Sequence, residues 1–320
     1  MLLSFNDASD MIARGRLLHI SGTETLLKKL PKGNWIGGST EYFMTEDGGK
    51  VTNEMLFVTE PHFHKCKIKT YDGKSISKIT GDAFDNGFSI VILPFDSDVH
   101  KIYAGKASEF EDIFVKNIIG WVSGVNLGVP GQTPIAVNGL TGEAFSDRAV
   151  VLHIDVPDDK LVSLGIVNIF DQDENSPVFE FTNEGFSAKS CLVDGKKVEF
   201  ADYIAQKKID TQLPLVGDYS GQGINISFKT IENGVVNFYA PVFPGIKYKM
   251  AKPLKSYEKE FNTQLEKMKN VQAVFSCNCI LNFLYGELEG KNIKSFHGPI
   301  TFGEVAYQLV NQTLVYVTIS

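Results

Sequence analysis

The chain has 320 residues, 43% of them hydrophobic and 22% charged, and a formal net charge of −7; this composition excludes intrinsic disorder and, at this length, suggests two apolar cores. Its acidity and its three arginines, Arg14, Arg16 and Arg148, argue against a nucleic-acid partner, because phosphate and base-edge recognition leans on the guanidinium group. No window reaches the ~18 to 20 apolar residues of a membrane helix, Asp7, Asp10, Arg14 and Arg16 stand where a signal peptide is apolar, and four cysteines are too few for a secreted disulfide framework, so a soluble cytoplasmic protein is expected.

In chain order, Asn6 or Asp7 can cap a first helix ending near Arg14, and an inner strand follows over 16–20. Thr23 can cap a second helix over 24–30, which stops before Pro31, and 34–38 enters a new strand. Residues 54–59, 62–70 and 88–95 read as strands. Residues 106–121 have helical apolar spacing through Phe110, Ile113, Phe114 and Ile118. An antiparallel meander is expected over 136–139, 149–156 and 161–170.

Seven polar or breaker residues, 171–177, mark the best boundary and divide the chain into domains 1–176 and 177–320. Strands are expected next at 178–182 and 187–193, with a hairpin turn at Asp194-Gly195 and a helix over 200–207. The strands 224–230 and 235–239 join across Asn233-Gly234, a favoured tight turn. Ser256 can cap an amphipathic helix carrying Tyr257, Phe261, Leu265 and Met268. A buried strand at 271–276, a turn into a helix over 277–284 and a central strand at 313–319 close the sequence.

The last fifty residues carry Val271-Gln-Ala-Val-Phe-Ser-Cys277, then Gly286-Glu-Leu-Glu289, then Gly298-Pro-Ile-Thr-Phe-Gly-Glu-Val305, then Asn311-Gln-Thr313. In this order they resemble the C-terminal part of FIST domains, the sensory modules of F-box proteins and intracellular signal transduction. Trp35-Ile-Gly-Gly-Ser-Thr40 is similar to the Gly-Cys-Thr-Thr motif of the family's N-terminal half. The resemblance implies a FIST-N-like half and a FIST-C-like half that bind a small metabolite, amino-acid-like or other, and signal through a protein partner. It also implies ligand contacts from Ser276, Cys277, Thr301, Gly303, Glu304 and Asn311, with Ser39 and Thr40 as their counterparts. Ile280 stands where the family usually has Arg, and Tyr42-Phe43 where it has Gly-Glu, which turns the expectation toward a neutral or cationic ligand.

Other constellations compete with that reading. His62, His64 and Cys66 share one face if they lie on a strand, which raises a haem- or metal-binding sensor, although same-face residues ~7 Å apart allow one ion two of them at most. Cys277 with His297 as base would make a thiol enzyme. Gly128–Thr133 lacks the lysine of a phosphate loop, Gly221-Gln-Gly223 lacks the third glycine of a dinucleotide fingerprint, and no nucleophile elbow occurs. The expectation is an α+β protein of two mixed, largely antiparallel sheets with helices on their outer sides. It binds a ligand without catalysis and needs no cofactor; a structural adaptor with a degenerate site is the alternative.

Overall fold

Three times along the chain an apolar strand, a helix and a second apolar strand follow one another. Each such unit closes into a parallel pair in the computed structural model, which describes residues 1–63, 65–219, 222–268, 270–293 and 296–320. Leu18–Gly22 pairs with Trp35–Ser39 across the helix Glu24–Leu27, Gly87–Pro94 with Asn117–Ser123 across Asp98–Lys106, and Ala273–Cys279 with Gly298–Thr301 across Ile280–Tyr285. A parallel pair requires such a crossover. The first two helices start on side-chain caps, with Thr23 Oγ1 accepting from Leu26 N and Ser97 Oγ from His100 N.

The remaining ladders are antiparallel, as in the pairing of Ala149–Asp155 with both Cys66–Tyr71 and Gly87–Pro94. The α+β class and the largely antiparallel pairing are as expected, but the strands form five sheets, four of six strands and one of three, and not two. The excess arises because strands read as continuous break and change partners. Gly185–Ala188 pairs with Val235–Val242, whereas Ser190–Val193, one residue further on, pairs with Lys196–Glu199 in another sheet.

Two of the five sheets take strands from both sides of residue 176. In one, Val162–Val167 lies beside Leu314–Ile319, then Ala273–Cys279, Gly298–Thr301, Tyr42–Thr45 and Gly48–Val51. In the other, the hairpin of Glu304–Ala306 and Gln308–Val310 extends Asn117–Ser123, Gly87–Pro94, Ala149–Asp155 and Cys66–Tyr71. This second sheet is covered on both faces: Ile90, Ile92, Trp121 and Leu152 enter one apolar cluster, and Val91, Leu93, Val122 and Val151 another. Strands buried on both sides read as unbroken apolar runs.

That rule explains the one element of the wrong type. Residues 106–121 were expected as a helix, yet only Ala107–Glu109 forms a short 3-10 turn and Asn117–Ser123 is a central strand. Ile118, Ile119, Trp121 and Val122 are apolar because both faces are covered, and such a run matches a helical period by accident. The first helix, Phe5–Ala13, is capped by Ser4 and not by Asn6 or Asp7. Both predicted tight turns form, with Asp194-Gly195 at φ 46° and 76° and Asn233-Gly234 at φ 52° and 76°. The helices Phe200–Lys207 and Tyr257–Glu266 stand where they were read, the latter capped by Ser256. Among the described residues no helix is long and apolar enough to cross a membrane.

Candidate functional site

Glu304 is the first residue of Glu304–Ala306, paired opposite Trp121, and nothing of it reaches solvent. Gly303 before it sits at φ 154°, a conformation that suits glycine. Thr301 Oγ1 lies 2.9 Å from Glu304 Oε1, and Thr313 donates to Oε2 from its hydroxyl at 2.8 Å and from its amide at 3.3 Å. Burial raises the Glu304 acid to about 8, against the pull of the Thr313 and Thr301 bonds. At neutral pH it is chiefly protonated. Thr301 can then turn its own hydrogen to the Asn278 carbonyl, 3.2 Å away, and accept the proton of Glu304.

The predicted residues do not converge on one ligand. Cys277 and Cys279 are buried, and their thiols are pushed well up by burial and then by the Glu304 carboxylate. Cys277 Sγ donates to the Gly120 carbonyl at 3.3 Å. The His297 side chain lines a cleft of about 230 Å³ with Ser276 and His62, and Cys277 is not part of its wall. Among the described residues no hydrogen bond joins Cys277 to His297, whose Nε2 has no partner. Ser276 Oγ donates to the His297 carbonyl, and Asn311 Oδ1 accepts from the amide and hydroxyl of Ser227. His62 is exposed and precedes the strand, which begins only at Cys66; His64 lies outside the described residues. Among the described residues no three His, Cys, Asp or Glu side chains are grouped as a metal would need.

Ser39 and Thr40 belong to a different place. They border a cleft of about 360 Å³ at the carboxyl ends of Leu18–Gly22, Trp35–Ser39 and Asn117–Ser123, but their hydroxyls bond inward, Ser39 to the Gly124 carbonyl and Thr40 to that of Ile300, both at 2.8 Å. The Thr40 bond ties Gly37-Gly-Ser-Thr40 to Gly298-Pro-Ile-Thr301, two segments that share a Gly-x-x-Thr spacing and lie on or just after the second strand of a parallel pair.

A larger cleft, about 500 Å³, opens between the Glu304–Val310 hairpin, the paired strands Leu215–Tyr219 and Gln222–Ile226, and the end of Val162–Val167. Phe114 and Tyr307, ring centroids 6.2 Å apart, stand at its wall with Tyr219, Ile166 and Ile224. Its polar groups are neutral: Asn168, Asn225, Gln308, Ser108 and Thr313, with no charged side chain among the described residues of the wall. Asn168 and Asn225 exchange amide bonds at 3.0 and 3.1 Å, and Asn225 also donates to the Asn311 carbonyl. Thr313 connects this cleft to the predicted set, because its hydroxyl holds Glu304. The sequence points to Glu304 but not to the cleft, whose wall comes from four separated segments.

One further polar chain escaped the sequence reading. Ser89 Oγ is 2.7 Å from His153 Nδ1, His153 Nε2 is 3.0 Å from Tyr71 Oη, and Tyr71 donates to Asp82 at 2.8 Å. Since the Tyr71 hydrogen goes to the carboxylate, His153 carries its proton on Nε2 and accepts from Ser89 at Nδ1. Burial holds the imidazole down at about 4, so it stays neutral. Ser89 is 1% exposed, and the chain serves to satisfy buried polar groups. A thiol reagent is expected to label Cys66 alone in the native protein and all four cysteines after denaturation, which mass spectrometry of labelled peptides reads directly.

Residues 3–320 match the model of a family of unknown function, DUF6976, and the chain belongs to that family. No curated protein matches it.

Proposed function

We propose that this family member is a non-catalytic, intracellular binding module for a small uncharged metabolite, received in the 500 Å³ cleft between the Phe114–Tyr307 pair and the Asn168–Asn225 pair. One observation carries the reading: a largely apolar cleft with convergent neutral amides and a hydroxyl sits one hydrogen bond from a fully buried acid with a strongly raised pKa. Concavity, apolar walls, a few directed polar groups and a perturbed acid nearby are the usual marks of a ligand site. The absence of charge in the wall favours a neutral ligand. The resemblance of the last fifty residues to FIST domains supports sensing, with output through a protein partner. The buried thiols, raised by their surroundings, count against cysteine chemistry.

Ligand that engages Thr313 competes with Glu304 for its hydroxyl, and this is the route by which occupancy reaches the interior. A thermal-shift screen of uncharged metabolites is expected to yield a stabilising compound, because binding at about 100 times Kd adds about 2.7 kcal/mol. The Phe114→Ala and Gln308→Ala variants, altered at the wall of the cleft, should fold and lose most of that shift. A screen without any stabilising neutral compound, or full stabilisation of both variants, would count decisively against this site.

A further inference from the structure

The cleft of about 360 Å³ beside Ser39 and Thr40 has the opposite character from the one above: its wall contains Glu24 and Glu41 and, among the described residues, includes no lysine, arginine or histidine. Glu24 is ion-paired with Lys28 one helical turn on. Among the described residues Glu41 has no such partner. It is 6% exposed, and among the described residues its two oxygens accept only from neutral amides, Asn126 Nδ2 at 2.8 Å on Oε2 and Gln132 Nε2 at 3.3 Å on Oε1. A carboxylate can accept about four hydrogen bonds, so half its capacity is unused at the wall of an open cleft. A buried carboxylate without a cation is costly to a fold, and natural structures seldom leave one uncompensated.

Around it, Thr25, Asn53 and Thr133 bring side chains to the same wall without a hydrogen bond to another described residue. The loop that supplies Gln132 and Thr133 is the glycine-containing segment that lacks the lysine of a phosphate site. The cleft thus offers one anionic point and several neutral donors and acceptors, at the carboxyl ends of parallel strands where open α/β sheets receive ligands.

From the uncompensated Glu41 carboxylate and the free hydroxyl and amide groups around it, we propose that this cleft is a second binding site, specific for a small hydroxylated primary amine of the amino-sugar or amino-alcohol class. The ammonium group pairs with Glu41, and the hydroxyls meet Thr25, Asn53 and Thr133. No bond to the ligand is made or broken. The site is separate from the uncharged cleft and does not depend on it.

Isothermal titration of the full chain with glucosamine, glucose and N-acetylglucosamine tests the assignment. Glucosamine should bind, and the two sugars without an ammonium group should bind at least about tenfold more weakly, as expected when one member of a desolvated charge pair is missing. Glu41→Gln should weaken glucosamine by a similar factor while leaving the response of the uncharged cleft intact. Should that variant not fold, Thr133→Trp, which fills the mouth from an exposed loop, should abolish binding on its own. Equal affinity for glucose and glucosamine, unchanged binding in Glu41→Gln or in Thr133→Trp, or no measurable glucosamine binding at all overturns the proposal.

Discussion

Relative to Glu304→Gln, the wild-type protein is expected to lose stability as the pH rises from about 6.5 to 8. Glu304 is held at about 8 in the folded protein, whereas a carboxylic acid in an unfolded chain ionises near 4.3. Between those values the folded state keeps a proton that the unfolded state has released. Its contribution is therefore complete below about pH 4, falls as the pH rises and is gone above about 8. The full difference is roughly 5 kcal/mol as an order of magnitude, and about 2 kcal/mol of it falls between pH 6.5 and 8.

The histidines run the other way. His19, His100 and His153 are depressed by burial to about 3, 4 and 4, so they add stability above their unfolded value near 6.5 and lose it as the pH falls. They cancel in the difference between wild type and variant. Glutamine fits the site: its oxygen can take the two Thr313 bonds, and its amide can donate to Thr301, whose hydrogen turns to Asn278. Urea titrations of both proteins from pH 5 to 9 should show curves that converge in acid and separate in alkali, with the variant the more stable there. Parallel curves would mean that Glu304 is ionised in the fold throughout.

Trp121→Ala is expected to cost about 3 to 5 kcal/mol, the range for large aromatic truncations in a core, from a total that for most domains lies near 5 to 15 kcal/mol. Trp121 is fully buried at the centre of the Asn117–Ser123 strand, and Gly38 is packed so closely against it that a Cβ there would lie 2.7 Å from the indole. Its Nε1 donates to His19 Nε2 at 2.8 Å. His19 Nδ1 already lacks a partner among the described residues, so alanine would leave both ring nitrogens unsatisfied, adding about 1 to 3 kcal/mol. Trp121→Phe separates the terms, because it keeps most of the apolar volume and loses only the hydrogen bond. Urea midpoints should rank wild type, Phe and Ala in that order, and an alanine variant as stable as phenylalanine would place the loss in the hydrogen bond alone.

Local signals were legible where the chain decides its own conformation. Thr23 and Ser256 cap the helices expected of them, Asp194-Gly195 and Asn233-Gly234 make their turns, and Phe200–Lys207 is found within a residue. Legibility failed where distant partners decide. The strand Asn117–Ser123 is apolar because sheet neighbours and two cores surround it, which no local period encodes. The same holds for the sites. Glu304 was marked by Gly303 and by its surroundings in sequence, yet its partners Thr301 and Thr313 consume it, and the cleft that Thr313 lines is assembled from residues near 108, 166, 224 and 307. Glu41 left no signal at all, because its burial and its neutral partners Asn126 and Gln132 are set by distant segments.

The sheet sharing described above also sets an order of events during synthesis. Leu314–Ile319 lies between Val162–Val167 and Ala273–Cys279, and Gly298–Thr301 between Ala273–Cys279 and Tyr42–Thr45. Until those segments emerge from the ribosome, strands made much earlier keep open hydrogen-bonding edges, the feature through which nascent chains associate with one another. Val162–Val167 waits some 150 residues for its neighbour, about 8 to 30 seconds at ordinary elongation rates. Slow translation of the second half prolongs that exposure and fast translation shortens it.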